Sequence, residues 1–395
     1  MALDSISSTT AATTVTPLAN GVRAIAHTVR GAGSVSLGIW IGHGSGHEAA
    51  HESGYTHLWE HLWFRAREGR CVRDIERLGG QINAYTTRTF CALHARVLPQ
   101  YANAVLALMA EMITACDFTD GDVARERDAV LAEIAATRSP ETVIEDAAMH
   151  FAWGDHSWAR PVTGNRDMLA AVRARDLRAL CERALVGANV CVVAVGAVGA
   201  TDLSVPRLAR LPLGRPASRP TPTFHAGAYT KRGDVAHSHL LWLLPSPASD
   251  AAGIIAQHIV AGGTESRLYR ALRGADTLAY DIHSRREPGV WIIRLSCDTR
   301  REPACQAAVE DVLDAWAASG PTPDEIATAH AALHTKLTLE EDDLDIVTAR
   351  LARELLAEGR TTTLRERLEA VDTALAAAPA VAQSVPVRLR LIWSP

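Results

Sequence analysis

Val205 to Thr223 reads VPRLARLPLGRPASRPTPT, with proline at 206, 212, 216, 220 and 222. Proline at this density continues neither a helix nor a central strand, so residues 205–223 read as an interdomain linker. It divides the 395-residue chain near its middle. Similar scripts run on either side of it. Before it come an alternating strand, Ser34 to Ile41, a helix around Tyr55 to Phe64, and another ending at Leu78-Gly79-Gly80. A second strand, Ile82 to Val97, precedes a helix from Tyr101 to Thr114 and a further helix from Thr119. After the linker, His239 to Leu244 reads as a strand, followed by helical Ala251 to Val260 and Ser266 to Leu272. Strand-like Leu278 to Ser284 and Trp291 to Cys297 then lead to helices from Pro303 to Ala317 and from Thr322.

The last helix of each series begins alike, Thr119-Asp-Gly-Asp122 and Thr322-Pro-Asp-Glu325. Each places a Thr cap three residues before an acid, the second with proline where a missing N–H costs nothing. This pattern implies an α+β protein of two repeated domains, each a mainly antiparallel sheet with helices on one face. Two unrelated α/β domains are the competing reading. The expected division is a flexible tail over 1–15, a first repeat over 16–204, the linker over 205–223, and a second repeat over 224–395. The stretch after Ala376 is weakly patterned and carries no assignment.

Composition narrows the function classes. The chain is 48% hydrophobic and 22% charged with a formal net charge of −5, an ordinary globular balance. It lacks the clustered Lys and Arg of a nucleic-acid binder, and no apolar run reaches the roughly 18 residues of a membrane helix. The Ser-, Thr- and Ala-rich start contains Asp4 and no basic residue before Arg23, which suits neither a secretory signal nor a mitochondrial presequence. The seven cysteines are scattered without a Cys-x-x-Cys pair, as expected of reduced thiols in a cytoplasm.

The chemically loaded segment is His57-Leu58-Trp59-Glu60-His61. Residues four apart share a helix face, so both imidazoles can address one ion, with Glu60 within reach of a water there. Zinc accepts two imidazoles and a carboxylate with a fourth position open. A chance match of so short a motif is the bland alternative. His43, His47 and His51 have no acid placed like Glu60 and read as loop or surface residues. The helix from Thr119 holds Glu126 and Glu133, two turns apart beside the stripe of Val123, Val130 and Ile134. Carboxylates bordering a buried face need a partner: an ion would satisfy one, and contact with a ligand histidine the other. A rotated helix would instead leave two solvated surface acids. When Val123 is overlaid on Ile326, Ala329 and Lys336 replace the two glutamates, and no His-x-x-Glu-His occurs around Ala252 to Ala256. The duplicate keeps the scaffold without these ligands, as one active centre per chain predicts.

Together these residues resemble the pitrilysin family of inverted zinc peptidases, most closely the short-chain branch with the mitochondrial processing peptidase subunits and their bacterial relatives. The likeness spans Leu18-Ala-Asn-Gly-Val-Arg23, Gly44-Ser45, His57 to His61 with Phe64, and Gly79-Gly-Gln-Ile-Asn-Ala-Tyr-Thr86. It continues through Glu126-Arg127 and Glu133-Ile134 to Ser266-Arg-Leu268, Arg273 and Leu278-Ala-Tyr280. The resemblance implies His57, His61 and Glu133 as zinc ligands, Glu60 as general base and Glu126 as the supporting carboxylate. It also implies Asn83 and Ala84 on an edge strand that holds substrate as an added β-strand, with Arg273 and Tyr280 bracing the substrate carbonyl. Trp63 and Arg65-Ala66-Arg67 depart from the family's small turn, changing the wall beside the zinc helix, and Gly44-Ser45-Gly46 lacks the customary Arg.

By this resemblance the chain is a zinc endopeptidase of extended or leader peptides, half of a clam-shell chamber, and hence a homodimer or a heterodimer with a related subunit. A processing-peptidase subunit and a non-catalytic assembly subunit are the alternatives.

Overall fold

The computed structural model describes residues 12–199, 203–218, 222–246, 250–274, 277–279, 281–377 and 388–395. It divides into two compact units, each a sheet with helices.

The first sheet contains β1 (Ala12–Pro17), β2 (Arg23–Thr28), β3 (Val35–Ile41), β4 (Gln81–Thr86), β5 (Cys91–Val97) and β6 (Val190–Gly196). Their spatial order is β1-β2-β6-β3-β5-β4. Only β2 and β6 pair in parallel; the other neighbours are antiparallel. Its helices are α1 (Tyr55–Trp63), α2 (Ala66–Arg77), α3 (Ala102–Thr114), α4 (Asp120–Ala136), and, beyond α5 (Pro140–Trp153), α6 (Arg166–Ala171) and α7 (Ala174–Ala184). In the second unit, β7 (Gly227–Arg232), β8 (Ser238–Pro245), β9 (Asp281–Glu287), β10 (Val290–Cys297) and β11 (Leu389–Ser394) lie in the order β7-β11-β8-β10-β9. Here β7 and β11 form the parallel pair. The helices of the second half are α8 (Asp250–Ala261), α9 (Arg267–Arg273), α10 (Glu302–Ser319), α11 (Pro323–Glu340), α12 (Leu344–Glu358) and α13 (Leu364–Ala376).

Without β1, the two orders are the same, so the duplication extends to topology. In each sheet the last strand of the repeat enters beside the first, in parallel. Strands buried on both faces read as continuous apolar runs rather than alternating ones, and VCVVAVG of β6 is one. Val190, Val192 and Ala194 face the main helical layer, while Cys191, Val193 and Val195 face the other way.

That second face is covered by an exchange of helices. Leu344, Val347, Leu351 and Leu355 of α12 pack on Ile25, Trp40, Phe90 and Val193 of the first sheet. Ile144, Ala148, Met149 and Ala152 of α5 pack on Leu241, Leu243, Ile292 and Leu391 of the second. The first unit therefore takes residues 340–362, and the second takes 137–159. Helices on one face were expected; these two helices add a layer on the opposite face, and the units are not contiguous in sequence. Gly38 makes room for this layer, since a Cβ there would lie 1.9 Å from the Trp40 ring.

Three further differences have local causes. Residues 12–15, expected in a flexible tail, belong to β1, whose β-branched Thr13, Thr14, Val15 and Thr16 favour an extended chain and pair with β2. Ile82 to Val97, expected as one strand, is the hairpin β4–β5. Thr87 turns it, donating its N–H to Phe90 O at 2.8 Å and accepting from Phe90 N at 3.0 Å on its hydroxyl. The chain after Ala376 contributes β11, the strand next to β8. Among its described residues the linker holds the short 3-10 turn Leu208–Arg210, with Leu208 buried in the first core. Asn20 Nδ2 ties it down by donating to Leu208 O and Leu211 O at 2.8 and 3.0 Å.

The matched caps are both formed. Thr119 N donates to Asp122 Oδ2 and Asp122 N donates back to Thr119 Oγ1, at 2.9 and 3.2 Å. Thr322 and Glu325 repeat this at 2.8 and 3.3 Å.

If α12 is a structural layer of the first unit, Leu351→Ala costs about 2–5 kcal/mol of stability. Leu339→Ala, at a position 60% exposed on α11, stays within about 0.5 kcal/mol. Urea titrations followed by tryptophan emission check both, because Trp40 lies beneath α12.

Candidate metal centre

Helix α1 carries the site on one side and the core on the other. Leu58, Trp59, Leu62 and Trp63 are buried in the first core, and the two indoles meet edge to face with centroids 5.1 Å apart. Trp59 and Trp63 are thus core packing, and Trp63, expected to change the wall beside the helix, is instead turned into the core. The polar side presents His57, Glu60 and His61.

The start of α1 is fixed by groups that sequence reasoning missed. Glu48, buried, accepts from Gly54 N at 3.0 Å and Thr56 N at 2.7 Å, taking up N–H groups that a helix start leaves without partners. Burial pushes its carboxyl up to about 7, against the pull of those bonds. Arg160 donates to Glu48 O, pinning the same loop from another segment. Gly54 sits at φ 97°, and a Cβ there would come 2.8 Å from Gly164 Cα; both the left-handed backbone and the close approach require glycine. The signal for Glu48 is an acid a few residues ahead of an apolar helix, too common to single out. His43, expected on a loop or the surface, is in a loop but buried.

Helix α4 lies against α1 and aims its two glutamates at it. His57 Nε2 is 3.7 Å and His61 Nε2 3.5 Å from Glu133 Oε2. These separations exceed ordinary N–H···O bonds. They match the spacing of two ligands around a tetrahedral zinc ion, roughly 3.4 Å for bonds near 2.05 Å. The other ring nitrogen of His61, Nδ1, stands 3.6 Å from Glu126 Oε2. Glu126 also faces Arg65 Nε at 3.6 Å through its Oε1, so the departure at Arg65 touches this glutamate. Burial, with His61 beside it, holds His57 below the usual imidazole range while Glu133 pulls the other way. A neutral imidazole keeps the lone pair a ligand needs. His57 Nδ1 is buried without a hydrogen-bond partner among the described residues.

Glu60 is buried and accepts a 2.7 Å bond from Thr86 Oγ1. Burial raises its carboxyl above the usual range, opposed by that hydroxyl and by His61. Thr86 ends β4, which among the described residues is an edge strand paired with β5 alone. Asn83 and Ala84 lie on this strand, Asn83 exposed, with Asn83 Oδ1 accepting from Ala84 N at 2.9 Å. In the sequence Thr86 is no more than the end of a motif; the fold gives it a contact with the acid of the site.

The second unit has the scaffold without these donors. Ala329 is buried at the Glu126 position, and Lys336 is exposed at that of Glu133. Arg273 closes α9, with its guanidinium over the Tyr269 ring at 5.5 Å. Tyr280 lies outside the described residues.

Two family models match consecutive parts of the chain: insulinase, peptidase family M16, over residues 24–166, and the peptidase M16 inactive domain over 171–333. The chain belongs to the M16 peptidase family. The inactive-domain match begins in the first unit, at residue 171, and runs on through residues 222–333 of the unit that lacks the donors. Among M16 relatives, an uncharacterized zinc protease of Mycobacterium leprae is 26% identical over 379 residues, covering 90% of this chain and 85% of that one. The mitochondrial-processing peptidase subunit beta of Saccharomyces cerevisiae is 23% identical over 406 residues, covering 94% and 87%. The crystal structure of a Helicobacter pylori protease shares the fold with a TM-score of 0.88 at 18% identity, covering 98% of this chain and all of that one (100%).

Removing the cap should loosen the helix that carries both imidazoles. Glu48→Ala strands two buried N–H groups and costs about 1–3 kcal/mol for each one left unpaired. Glu48→Gln, which keeps an acceptor, costs less. Thermal unfolding of the three proteins gives the order wild type, Gln, Ala.

Proposed function

We propose that this M16 protein is a zinc-dependent endopeptidase acting on extended peptides. The observation that carries the reading is the convergence of His57 and His61 on one oxygen of Glu133, with Glu60 buried alongside. His57, His61 and Glu133 would hold the zinc. When bound, zinc supplies Lewis-acid polarisation of the scissile carbonyl and of the attacking water.

The chain's own groups do the rest. Glu60 takes a proton from the attacking water and returns it to the leaving amine. Its raised proton affinity, set by burial, suits a group that must both accept and give. Thr86 holds one carboxylate oxygen, leaving the other for the proton. Glu126 steadies the His61 ring through Nδ1, as carboxylates behind metal-binding histidines do. The open side of β4, with Asn83 and Ala84, offers backbone groups to a peptide laid down as one more strand. Because Thr86 belongs to that strand, the base and the substrate platform are in register. Arg273 and Tyr280 are assigned, on the family resemblance, to bracing the substrate carbonyl.

The functional unit is a dimer, of this chain or with a related subunit. The yeast relative's name, a subunit, supports the mixed form. The seven free cysteines support a reducing compartment such as the cytoplasm, and among the described residues no helix is long and apolar enough to cross a membrane.

Glu60→Gln should bind zinc as the wild type does and lose peptide cleavage by roughly a hundredfold or more, within the range attributed to general acid–base catalysis. Metal content and turnover of a mixed peptide library, read by mass spectrometry with and without chelator, measure both. Turnover unchanged by the substitution or by the chelator would sink the reading.

A further inference from the structure

The second unit contains another convergence of donors, unrelated to the first centre and outside the equivalent positions of the repeat. His330 and His334 lie one turn apart on α11, and Asp372 faces them from α13. Asp372 Oδ1 is 2.7 Å from His334 Nε2 and 3.2 Å from His330 Nε2. The imidazoles stack with centroids 4.1 Å apart and planes 27° from parallel.

Each ring in its neutral form can give one Nε2 proton to Asp372, as the 2.7 and 3.2 Å separations allow. A divalent cation between the donors would instead take the lone pairs of both Nε2 atoms and of one carboxylate oxygen. The three atoms lie within 4.8 Å of one another, so a single ion can reach all of them. His334 is 20% exposed, against 51% for His330 and 40% for Asp372, leaving one side open for water ligands.

The donor set selects the class of ion. Two imidazole nitrogens and one carboxylate suit zinc, nickel, cobalt or copper, whereas calcium and magnesium ask for oxygen. To reach the roughly 3.3 Å edge of a tetrahedral site, His334 and Asp372 must part by about half an ångström. At the first centre the matching separations already exceed that edge. The second site is accordingly the weaker.

We propose that His330, His334 and Asp372 form a second, low-affinity site for a divalent transition-metal ion, which clamps α11 to α13 within the second unit. Without the ion, the His334–Asp372 hydrogen bond at 2.7 Å holds the same helices, so the fold does not require the metal.

The test is a count. Protein with its first equivalent of zinc bound is dialysed against stepped concentrations of buffered free zinc, and bound metal is measured by elemental analysis. Wild type should take up a second equivalent with affinity at least tenfold weaker than the first, accompanied by a rise in melting temperature. His330→Gln with His334→Gln should stop at one equivalent and lose that rise. Asp372→Asn, which leaves both rings in place, should weaken the second equivalent at least tenfold, and it decides the question alone if the double variant folds poorly. His57→Ala with His61→Ala should still bind one equivalent, keeping this site's fate separate from that of the first. A wild type that stops at one equivalent, or a second equivalent that survives both the paired Gln substitution and Asp372→Asn, overturns the proposal.

Discussion

The contact between α1 and α4 is the constraint from which the site follows. A helix of nine residues, Tyr55–Trp63, offers three aromatic rings and two leucines to the core and two imidazoles and a carboxylate to its other side. Burying the indoles fixes the rotation of the helix, and that rotation aims the histidines. The second helix supplies the acids at a spacing of two turns, so one glutamate meets both Nε2 atoms while the other stands behind His61. Neither helix alone has a use for these groups: half-buried carboxylates and a buried, neutral imidazole are all unfavourable without partners. Polar groups so placed conflict with packing unless something joins them, and such conflicts gather at functional sites.

Much of this is legible in the chain. The four-residue spacing of the histidines, the seven-residue spacing of the glutamates and the Thr caps at 119 and 322 are short-range signals, set by helix geometry, and the structure contains each of them. The duplication is legible because the caps repeat. Less legible is whatever depends on contacts between distant segments. β6 and β11 lie between earlier strands, and a continuous apolar run such as VCVVAVG does not say which neighbours it will have. Trp63 suggests a changed wall beside the site because the sequence does not show which side of α1 faces inward. Glu48 acts through hydrogen bonds from residues 6 and 8 positions away, and Thr86 through one to a residue 26 positions away, and no periodicity marks such pairs.

The two halves also show how one scaffold hosts different chemistry. Ala329 keeps the packing of its helix where Glu126 breaks the apolar surface of α4, and Lys336 is solvated where Glu133 turns to the histidines. The fold tolerates either choice because the helices are held by their caps and apolar stripes. The acids are additions to the scaffold, and the match of the second half to an inactive domain agrees with that separation.

The exchange of α5 and α12 bears on how the molecule is made. A ribosome delivers the six strands of the first sheet well before it delivers residues 344–358. For that interval one face of the nascent sheet, with Ile25, Trp40 and Val193, has no cover and must either wait bare or be shielded by a chaperone. Cutting the finished chain at the proline-rich stretch would not release two self-sufficient domains, because each fragment would leave with a helix that belongs to the other.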